Sequence, residues 1–247
     1  MKAEQIIPFI DLTTLNATDG INAVNQITKQ AVALTEQHVF PASVCVYPTL
    51  VKQVRYQLPE HISVASVSGG FPAGQTPLKI KIEESRIALD EGADEIDMVI
   101  NRARLMDGDE NYIFDEIAAV KEVCGAKLLK VIIESGELAS ESLIRKAAQL
   151  CMQAGADFIK TSTGKSAIGA TPEAVRFICE EIAFNKKSKG VSTGIKISGG
   201  VAAAEDAINY IMLVSSLLGS SQIVPGLFRI GASRLYDQLV SQIQSNK

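Results

Sequence analysis

Short apolar runs alternate along the chain with longer segments in which apolar residues recur every three to four positions. The short runs are rich in Val and Ile, which is typical of buried β-strands, and the longer segments have the period of amphipathic helices. The predicted strands cover 6–12, 43–47, 62–68, 95–100 and 127–134, begin at 157 and at 194, and end with 228–230. The main predicted helices cover about 20–37, 77–91, 140–154, 171–183 and 203–218, with a closing helix at the end.

The alternation of strand and helix repeats eight times, at an average spacing of about 31 residues. Strands that alternate with helices form parallel sheets. A Gly-Ala-Asp turn recurs at 92 and 155, two such units apart, and a repeating unit favours closure into a barrel. No G-x-G-x-x-G follows the first strand, which argues against an open dinucleotide-binding sheet. The pattern predicts an α/β fold, a single (β/α)8 TIM barrel that takes up residues 1–247 as one domain.

Composition and charge narrow the class of protein. Of the 247 residues, 47% are hydrophobic, and 24 basic residues stand against 28 acidic ones without a basic block. This balance argues against nucleic acid as a main partner and is compatible with a small anionic substrate. The first residues lack a signal-peptide pattern, and no stretch has the roughly 18 apolar residues of a membrane span. We expect a cytoplasmic protein with no membrane partner.

Metal and nucleophile motifs are scarce. The four cysteines have no C-x-x-C spacing, which indicates reduced thiols in the core of the protein. The two histidines, His38 and His61, have no Cys, Asp or Glu at ligand spacing, so a zinc site is not expected. A G-x-S-x-G turn is absent, which argues against a Ser-His-Asp arrangement. The chemistry therefore has to come from Lys, Asp, Ser and Thr, without a metal or a cofactor.

Two lysines interrupt apolar strands at corresponding positions. Lys160 lies in the sixth predicted strand and Lys196 in the seventh, and each strand leads into a glycine-containing turn. If both side chains point into the barrel, like charge and burial would lower the pKa of each amine. A neutral amine attacks a carbonyl to form an iminium, so either lysine is a candidate nucleophile. The alternative is that these lysines form structural ion pairs at the barrel end or extend outward to solvent.

Other polar residues are expected on the same inner faces. Asp97 lies between Ile96 and Met98 in the fourth strand, where an inward carboxylate needs a partner. It is either a proton carrier or one half of a structural salt bridge. Lys130 and Glu134 share one face of the fifth strand and are expected to extend this network. The possible supporting residues are Asp11, Thr13, Cys45 and Lys130, with Cys45 more readily explained as core.

Glycine-containing turns follow the last three strands. They are Thr163-Gly164-Lys165, Ser198-Gly199-Gly200 and Gly231-Ala232-Ser233, and the last two are expected to open helices. Helix N-termini bind anions, and barrel enzymes often hold a phosphate at the loops after strands seven and eight. The three turns together predict a phosphorylated substrate.

At these residues the sequence resembles the deoxyribose-phosphate aldolase family, which are class I aldolases that form a Schiff base. The resemblance covers nearly the whole chain, and its most specific part is the run 156–165. It implies reversible cleavage of 2-deoxy-D-ribose 5-phosphate to acetaldehyde and D-glyceraldehyde 3-phosphate, with Lys160 as the Schiff-base lysine, Lys196 as the lysine that lowers its pKa, and Asp97 as the proton relay. It also implies a possible homodimer. The implied phosphate-binding residues are Gly164, Lys165, Gly199, Gly200, Gly231 and Ser233.

Two departures from the family pattern affect the expected function. Ala202 stands where the family usually has a basic residue, so we expect a weaker preference for the phosphorylated sugar; the alternative is that Arg234, beside the last turn, compensates. The tail 242–247 lacks the terminal tyrosine of some members. The alternatives to this function are another lysine-dependent phosphosugar aldolase or transaldolase, and a phosphosugar-binding barrel without catalysis.

Overall fold

The computed structural model describes residues 1–245, whose eight parallel strands close into one barrel in chain order. Each strand pairs with its neighbour in sequence, and the first strand also pairs with the last. This arrangement confirms the predicted (β/α)8 fold. The strands are β1 (Ile10–Thr13), β2 (Ser43–Val46), β3 (Ser63–Ser68), β4 (Glu95–Val99), β5 (Leu128–Ile132), β6 (Phe158–Lys160), β7 (Gly194–Ser198) and β8 (Phe228–Ala232).

The helices surround the barrel and connect its strands. Short 3₁₀ helices cover Ile7–Phe9, Thr35–Gln37, Pro48–Leu50 and Ser220–Gln222. The α-helices are α1 (Ala3–Ile6), α2 (Ile21–Ala31), α3 (Val51–Gln57), α4 (Leu78–Asp90), α5 (Arg102–Met106), α6 (Glu110–Cys124), α7 (Ser135–Leu138), α8 (Glu141–Gln153), α9 (Pro172–Lys189), α10 (Ala204–Leu218) and α11 (Arg234–Ser245).

Local capping explains where the longer helices begin. The Ser140 hydroxyl accepts a hydrogen bond from the backbone N–H of Leu143, and α8 starts at Glu141, directly after Ser140. The Thr171 hydroxyl caps α9 in the same way, with Pro172 at the first helical position. These caps satisfy backbone donors that the first turn leaves free.

The two faces of the strands have opposite character. Residues that point outward, such as Val44, Ile96 and Ile195, pack against the helices and form the main hydrophobic core. The inward-pointing residues of β4 to β8 include six charged side chains that are nevertheless buried. Alternation along each strand places these two sets on opposite faces, so the barrel interior is available for polar chemistry.

Three predicted boundaries were wrong. The strand predicted at 6–12 is only Ile10–Thr13, because the residues before it form α1 and a 3₁₀ helix that contains Pro8, whose missing N–H disfavours a place inside a strand. The helix predicted over 20–37 ends at Ala31 and is followed by a separate 3₁₀ turn. The helix after Thr171 continues to Lys189, beyond its predicted end near 183.

All four cysteines are free and buried, as predicted for core thiols. Among the helices of residues 1–245, none is both long enough and apolar enough to cross a membrane. Of the tail 242–247, which lacks a terminal tyrosine, residues 242–245 belong to α11 and the last two lie outside the described residues.

Candidate active site

Lys160 and Lys196 lie side by side on the inner face of the barrel. They are directly paired in the register of β6 and β7, and their relative exposures are 2% and 0%. Lys160 is the last residue of β6 and faces a cavity at the carboxyl ends of the strands, where TIM-barrel enzymes have their active sites. Both lysines therefore point inward as predicted, and Lys160 is the one that reaches the cavity.

Asp97 is the shared partner of three lysines. Its Oδ2 accepts hydrogen bonds from Lys160 Nζ and from Lys196 Nζ, each at 2.7 Å. Its Oδ1 accepts from Lys130 Nζ at 2.9 Å. Asp97 and Lys130 are fully buried, so these contacts form away from water. The predicted link between Asp97, Lys130 and the lysine pair is present.

Asp11 is a second carboxylate of this network. Its Oδ2 lies 2.5 Å from Lys196 Nζ and 3.5 Å from Lys130 Nζ. Its Oδ1 accepts a hydrogen bond from Arg229 at 2.6 Å. Asp11 was predicted only as a supporting residue on the face of Thr13, but it contacts three basic side chains.

Two charged residues of the network were missed at the sequence level. Glu95 lies 2.5 Å from Lys130 Nζ and accepts hydrogen bonds from both Nη atoms of Arg229, at 3.0 and 3.3 Å. For both Glu95 and Arg229, the sequence contains a pattern that could have indicated an inward position. Glu95 precedes Asp97 by two positions and so shares its strand face, and Arg229 is flanked by Phe228 and Ile230.

The two lysines have pKa shifts of opposite sign. Burial lowers the pKa of Lys160, Asp97 opposes this effect, and the positive charge of Lys196 adds to it, so the net direction is down. Burial also lowers the pKa of Lys196, but the carboxylates of Asp11 and Asp97 outweigh it and raise the pKa above its ordinary value. The expectation that both pKa values fall was therefore wrong for Lys196, because its amine contacts two carboxylates.

The same charges keep the carboxylates ionised. Burial favours the neutral form of Asp97, but Lys130, Lys160 and Lys196 together hold its pKa well below the usual range. Asp11 behaves in the same way, with Lys196 as its strongest partner. The lowered pKa favours the neutral form of Lys160, and that form, beside Asp97 and Lys196, can attack a carbonyl and exchange protons with its neighbours.

A cavity of about 430 Å³ opens above Lys160. Its lining contains Thr13 and several polar residues that were not predicted, including Asn16 and Asp237. Ala202 and Arg234 also reach it. The structure brings all six predicted phosphate-binding residues to this cavity, and these are Gly164, Lys165, Gly199, Gly200, Gly231 and Ser233.

Close packing explains two of these glycines. Gly199 has a φ of +81°, and a Cβ there would lie 2.5 Å from the Ser162 hydroxyl. A Cβ on Gly231 would lie 3.2 Å from Cε of Lys196, so this glycine leaves room for the lysine. The turn at 231–233 leads directly into α11, as predicted. The turn at 199–200 does not open a helix, since α10 begins only at Ala204.

Glu134 was predicted to extend the Lys130 network, and this was wrong. β5 ends at Ile132, and Glu134 takes a left-handed backbone conformation that turns it away from the strand face. Its carboxylate accepts hydrogen bonds from the backbone N–H and hydroxyl of Thr163, at 3.1 and 2.6 Å, and from the Ser166 hydroxyl at 2.8 Å. Glu134 therefore holds the turn after β6.

Cys45 belongs to the apolar wall near the lysines. It is fully buried in a small cluster with Leu15, Ala65 and Val67. Burial raises the pKa of its thiol to about 11. The thiol is thus protonated at neutral pH, in agreement with a core role. Within the described part of the chain, no three His, Cys, Asp or Glu residues are grouped as metal ligands.

Comparison with known proteins agrees with this geometry. The family model described as DeoC/LacD family aldolase matches residues 5–213. The human deoxyribose-phosphate aldolase is 39% identical over 252 residues, which cover 96% of this chain and 79% of the human protein. A candidate deoxyribose-phosphate aldolase of Caenorhabditis elegans is 40% identical, and the match covers 96% of this chain and 80% of that protein.

The fold has close structural counterparts. The crystal structure of a candidate deoxyribose-phosphate aldolase of Toxoplasma gondii superposes with a TM-score of 0.89 and 27% identity, covering 98% of this chain and 94% of that one. The family match takes in the strands that carry Asp97, Lys160 and Lys196. The chain belongs to the DeoC/LacD family of aldolases.

Proposed function

We propose that this protein is a class I aldolase that reversibly cleaves 2-deoxy-D-ribose 5-phosphate to acetaldehyde and D-glyceraldehyde 3-phosphate through a Schiff base on Lys160. The observation that carries the proposal is the position of Lys160. Lys160 lines the cavity, and its amine lies 2.7 Å from Asp97 and beside Lys196 in the strand register. The names of the relatives support the choice of substrate.

The reaction begins with the neutral Lys160 amine. It attacks the C1 aldehyde of the open-chain sugar, and loss of water from the adduct gives an iminium. The C3 hydroxyl then loses its proton and the C2–C3 bond breaks. The electron pair of that bond moves toward the iminium and gives an enamine. Glyceraldehyde 3-phosphate leaves, the remaining enamine is protonated at C2, and water then releases acetaldehyde and restores the amine.

Asp97 and Lys196 have separate roles in this proposal. Asp97 accepts and returns protons, through a water where the reacting atom is out of its reach. Lys196 stays protonated between Asp11 and Asp97 and disfavours the protonated form of Lys160. The chemistry uses only amine and carboxylate groups of the chain.

The turns at the cavity rim would hold the phosphate of the substrate. Backbone N–H groups of the glycine-containing turns and the Lys165 amine supply donors for its oxygens. The backbone N–H of Lys165 donates to the Thr163 hydroxyl, which leaves the exposed side-chain amine, 3.5 Å from Asn16 Oδ1, as the donor of this residue for phosphate. Ala202 adds no charge at the rim, which supports a weaker preference for phosphate.

The wider setting is also a proposal. The chain would work in the cytoplasm as one domain with a phosphosugar as its small-molecule partner, and it would pair into a homodimer. Light scattering of the purified protein measures its mass in solution, and a monomer or a larger assembly would contradict the homodimer.

The decisive experiment is to incubate the protein with acetaldehyde, reduce with borohydride, and locate the adduct by peptide mass spectrometry. An ethyl group on Lys160 supports both the iminium and the donor. An adduct on Lys196 keeps the mechanism and reverses the two lysine roles. No adduct on either lysine in folded protein favours the phosphosugar-binding barrel. Trapping by dihydroxyacetone in place of acetaldehyde favours a different aldolase or a transaldolase.

A further inference from the structure

Among residues 1–245, seven charged side chains that are at most 5% exposed lie in the interior of the barrel. Three are carboxylates and four are basic. They come from six different strands and form one connected set of ion pairs, which we call the interior network. The members are Asp11, Glu95, Asp97, Lys130, Lys160, Lys196 and Arg229.

The network has one more basic group than it has carboxylates. Unbalanced charge is costly away from water, so one basic group is expected to give up its proton. Arginine does not lose its proton in proteins, which leaves the three lysines.

Contacts select the neutral lysine. Lys130 lies within 4 Å of three carboxylates, and Lys196 lies within 4 Å of two. Among residues 1–245, Lys160 has a single carboxylate partner, Asp97, which it shares with both other lysines. Lys160 is therefore the group that the balance of charge leaves neutral, and the direction of its pKa shift agrees.

Arg229 contributes a positive charge to the interior network that it does not lose by deprotonation. It pairs with Asp11 of β1 and Glu95 of β4, and its guanidinium lies 5.7 Å from the centre of the Phe158 ring of β6. Lys196 is its neighbour in the register of β7 and β8, and Lys130 of β5 shares both of its carboxylates. Arg229 also donates to the Pro225 carbonyl at 2.5 Å. Lys160 lines the cavity, whereas Arg229 is not among its lining residues in the described chain.

We propose that Arg229 and Glu95 are positioning residues that set the protonation of Lys160 without touching the substrate. This inference rests on the proposed function, in which Lys160 is the nucleophile. Loss of the Arg229 charge leaves the three carboxylates with two protonated lysines, so Lys160 takes up a proton. Loss of the Glu95 charge leaves a surplus of positive charge, so Lys160 releases its proton more readily.

The test uses three charge variants, Arg229→Gln, Glu95→Gln and the double variant. The measured quantity is the rate at which acetaldehyde and cyanoborohydride modify Lys160 as a function of pH. Acetaldehyde has no ionising group in this range, so the midpoint reports the enzyme. The pH dependence of kcat/KM for the phosphorylated sugar provides a second readout of the free enzyme.

We expect opposite shifts that cancel. Arg229→Gln should raise the midpoint of the pH dependence of Lys160 modification by about one pH unit, so at a pH below the midpoint the neutral amine is about tenfold scarcer. Glu95→Gln should lower the same midpoint by a similar amount. The double variant removes one charge of each sign and should return close to the unmodified midpoint. Arg229→Lys keeps the charge and should leave the midpoint in place.

A packing role alone would lower activity in both single variants without opposite shifts, and that result would overturn the inference. If only Glu95→Gln folds, a midpoint equal to or above that of the unmodified protein would overturn the inference. If only the double variant folds, a midpoint that differs from that of the unmodified protein would overturn it. Failure of the proposed function is distinguishable, because Lys160 of the unmodified protein would then give no adduct at any pH.

Discussion

The protein contains two buried lysine sites with different surroundings. Lys81 of α4 is fully buried outside the barrel, where its amine lies 2.8 Å from Glu116 of α6 and donates to the Val99 carbonyl at 2.9 Å. Lys160 is buried inside the barrel beside Asp97. Burial is the largest cause of a lowered pKa at both amines.

The comparison separates a perturbed pKa from a function. Glu116 also accepts a hydrogen bond from the backbone N–H of Asn101, so the Lys81 pair fastens α4 and α6 to the end of β4. Lys160 instead shares its carboxylate with Lys196 and Lys130 and faces a cavity. A lowered pKa makes an amine reactive only where a substrate can reach it. The variants below test this distinction.

Lys160→Met gives the largest expected effect. It removes the amine that forms the iminium, so kcat/KM should fall by at least about 10⁴-fold with the fold retained. Steady-state cleavage of the phosphorylated sugar measures the loss, and circular dichroism checks the fold. Activity within tenfold of the unmodified enzyme would contradict the role of Lys160.

Lys81→Met should lower the stability of the fold and leave catalysis unchanged. It leaves the Glu116 carboxylate buried without its partner, which costs about 3–5 kcal/mol of unfolding free energy. Denaturant titration measures this cost, and kcat/KM of the folded fraction should be unchanged. The matched double variant with Glu116→Leu should recover most of the stability. A catalytic defect in the folded single variant would erase the distinction between the two sites.

Lys196→Met is expected to have an intermediate effect. It removes the positive charge beside Lys160, so the pKa of Lys160 rises and more of the amine is protonated at neutral pH. The kcat/KM at pH 7 should fall by about 10²-fold, with partial recovery as the pH is raised. The control is Lys146→Met, whose amine is on the surface in a pair with Glu110. An unchanged pH profile would remove Lys196 from its assigned role.

Ala202→Arg has the smallest expected effect and acts only at the cavity rim. A charge-assisted hydrogen bond to phosphate is worth roughly 1.5–3 kcal/mol, so the ratio of kcat/KM for deoxyribose 5-phosphate to that for deoxyribose should rise about tenfold or more. Ala202→Gln supplies length without charge and should change the ratio less. Equal ratios in both variants would show that the rim charge is not what limits phosphate preference.

Much of the site follows from local sequence patterns. Alternation of apolar and polar residues identifies the strands, and a lysine within an apolar strand such as β6 or β7 is conspicuous. The carboxyl ends of parallel strands meet at one edge, so the turns after them were expected at a common cavity. The resemblance over 156–165 added the assignment of Lys160 as the nucleophile, which spacing alone leaves open.

What only the tertiary structure decided is the charge of each group. Arg229 meets Asp11 across 218 positions of sequence and Glu95 across 134, and no local pattern predicts such distances. Two carboxylates beside Lys196 and a single shared one beside Lys160 give the two amines opposite pKa shifts. The sequence determined which side chains within each strand share a face, because that depends on strand period, whereas the end of β5 at Ile132 decided the position of Glu134. Their protonation depends on distances between strands, and these exist only once the barrel has closed.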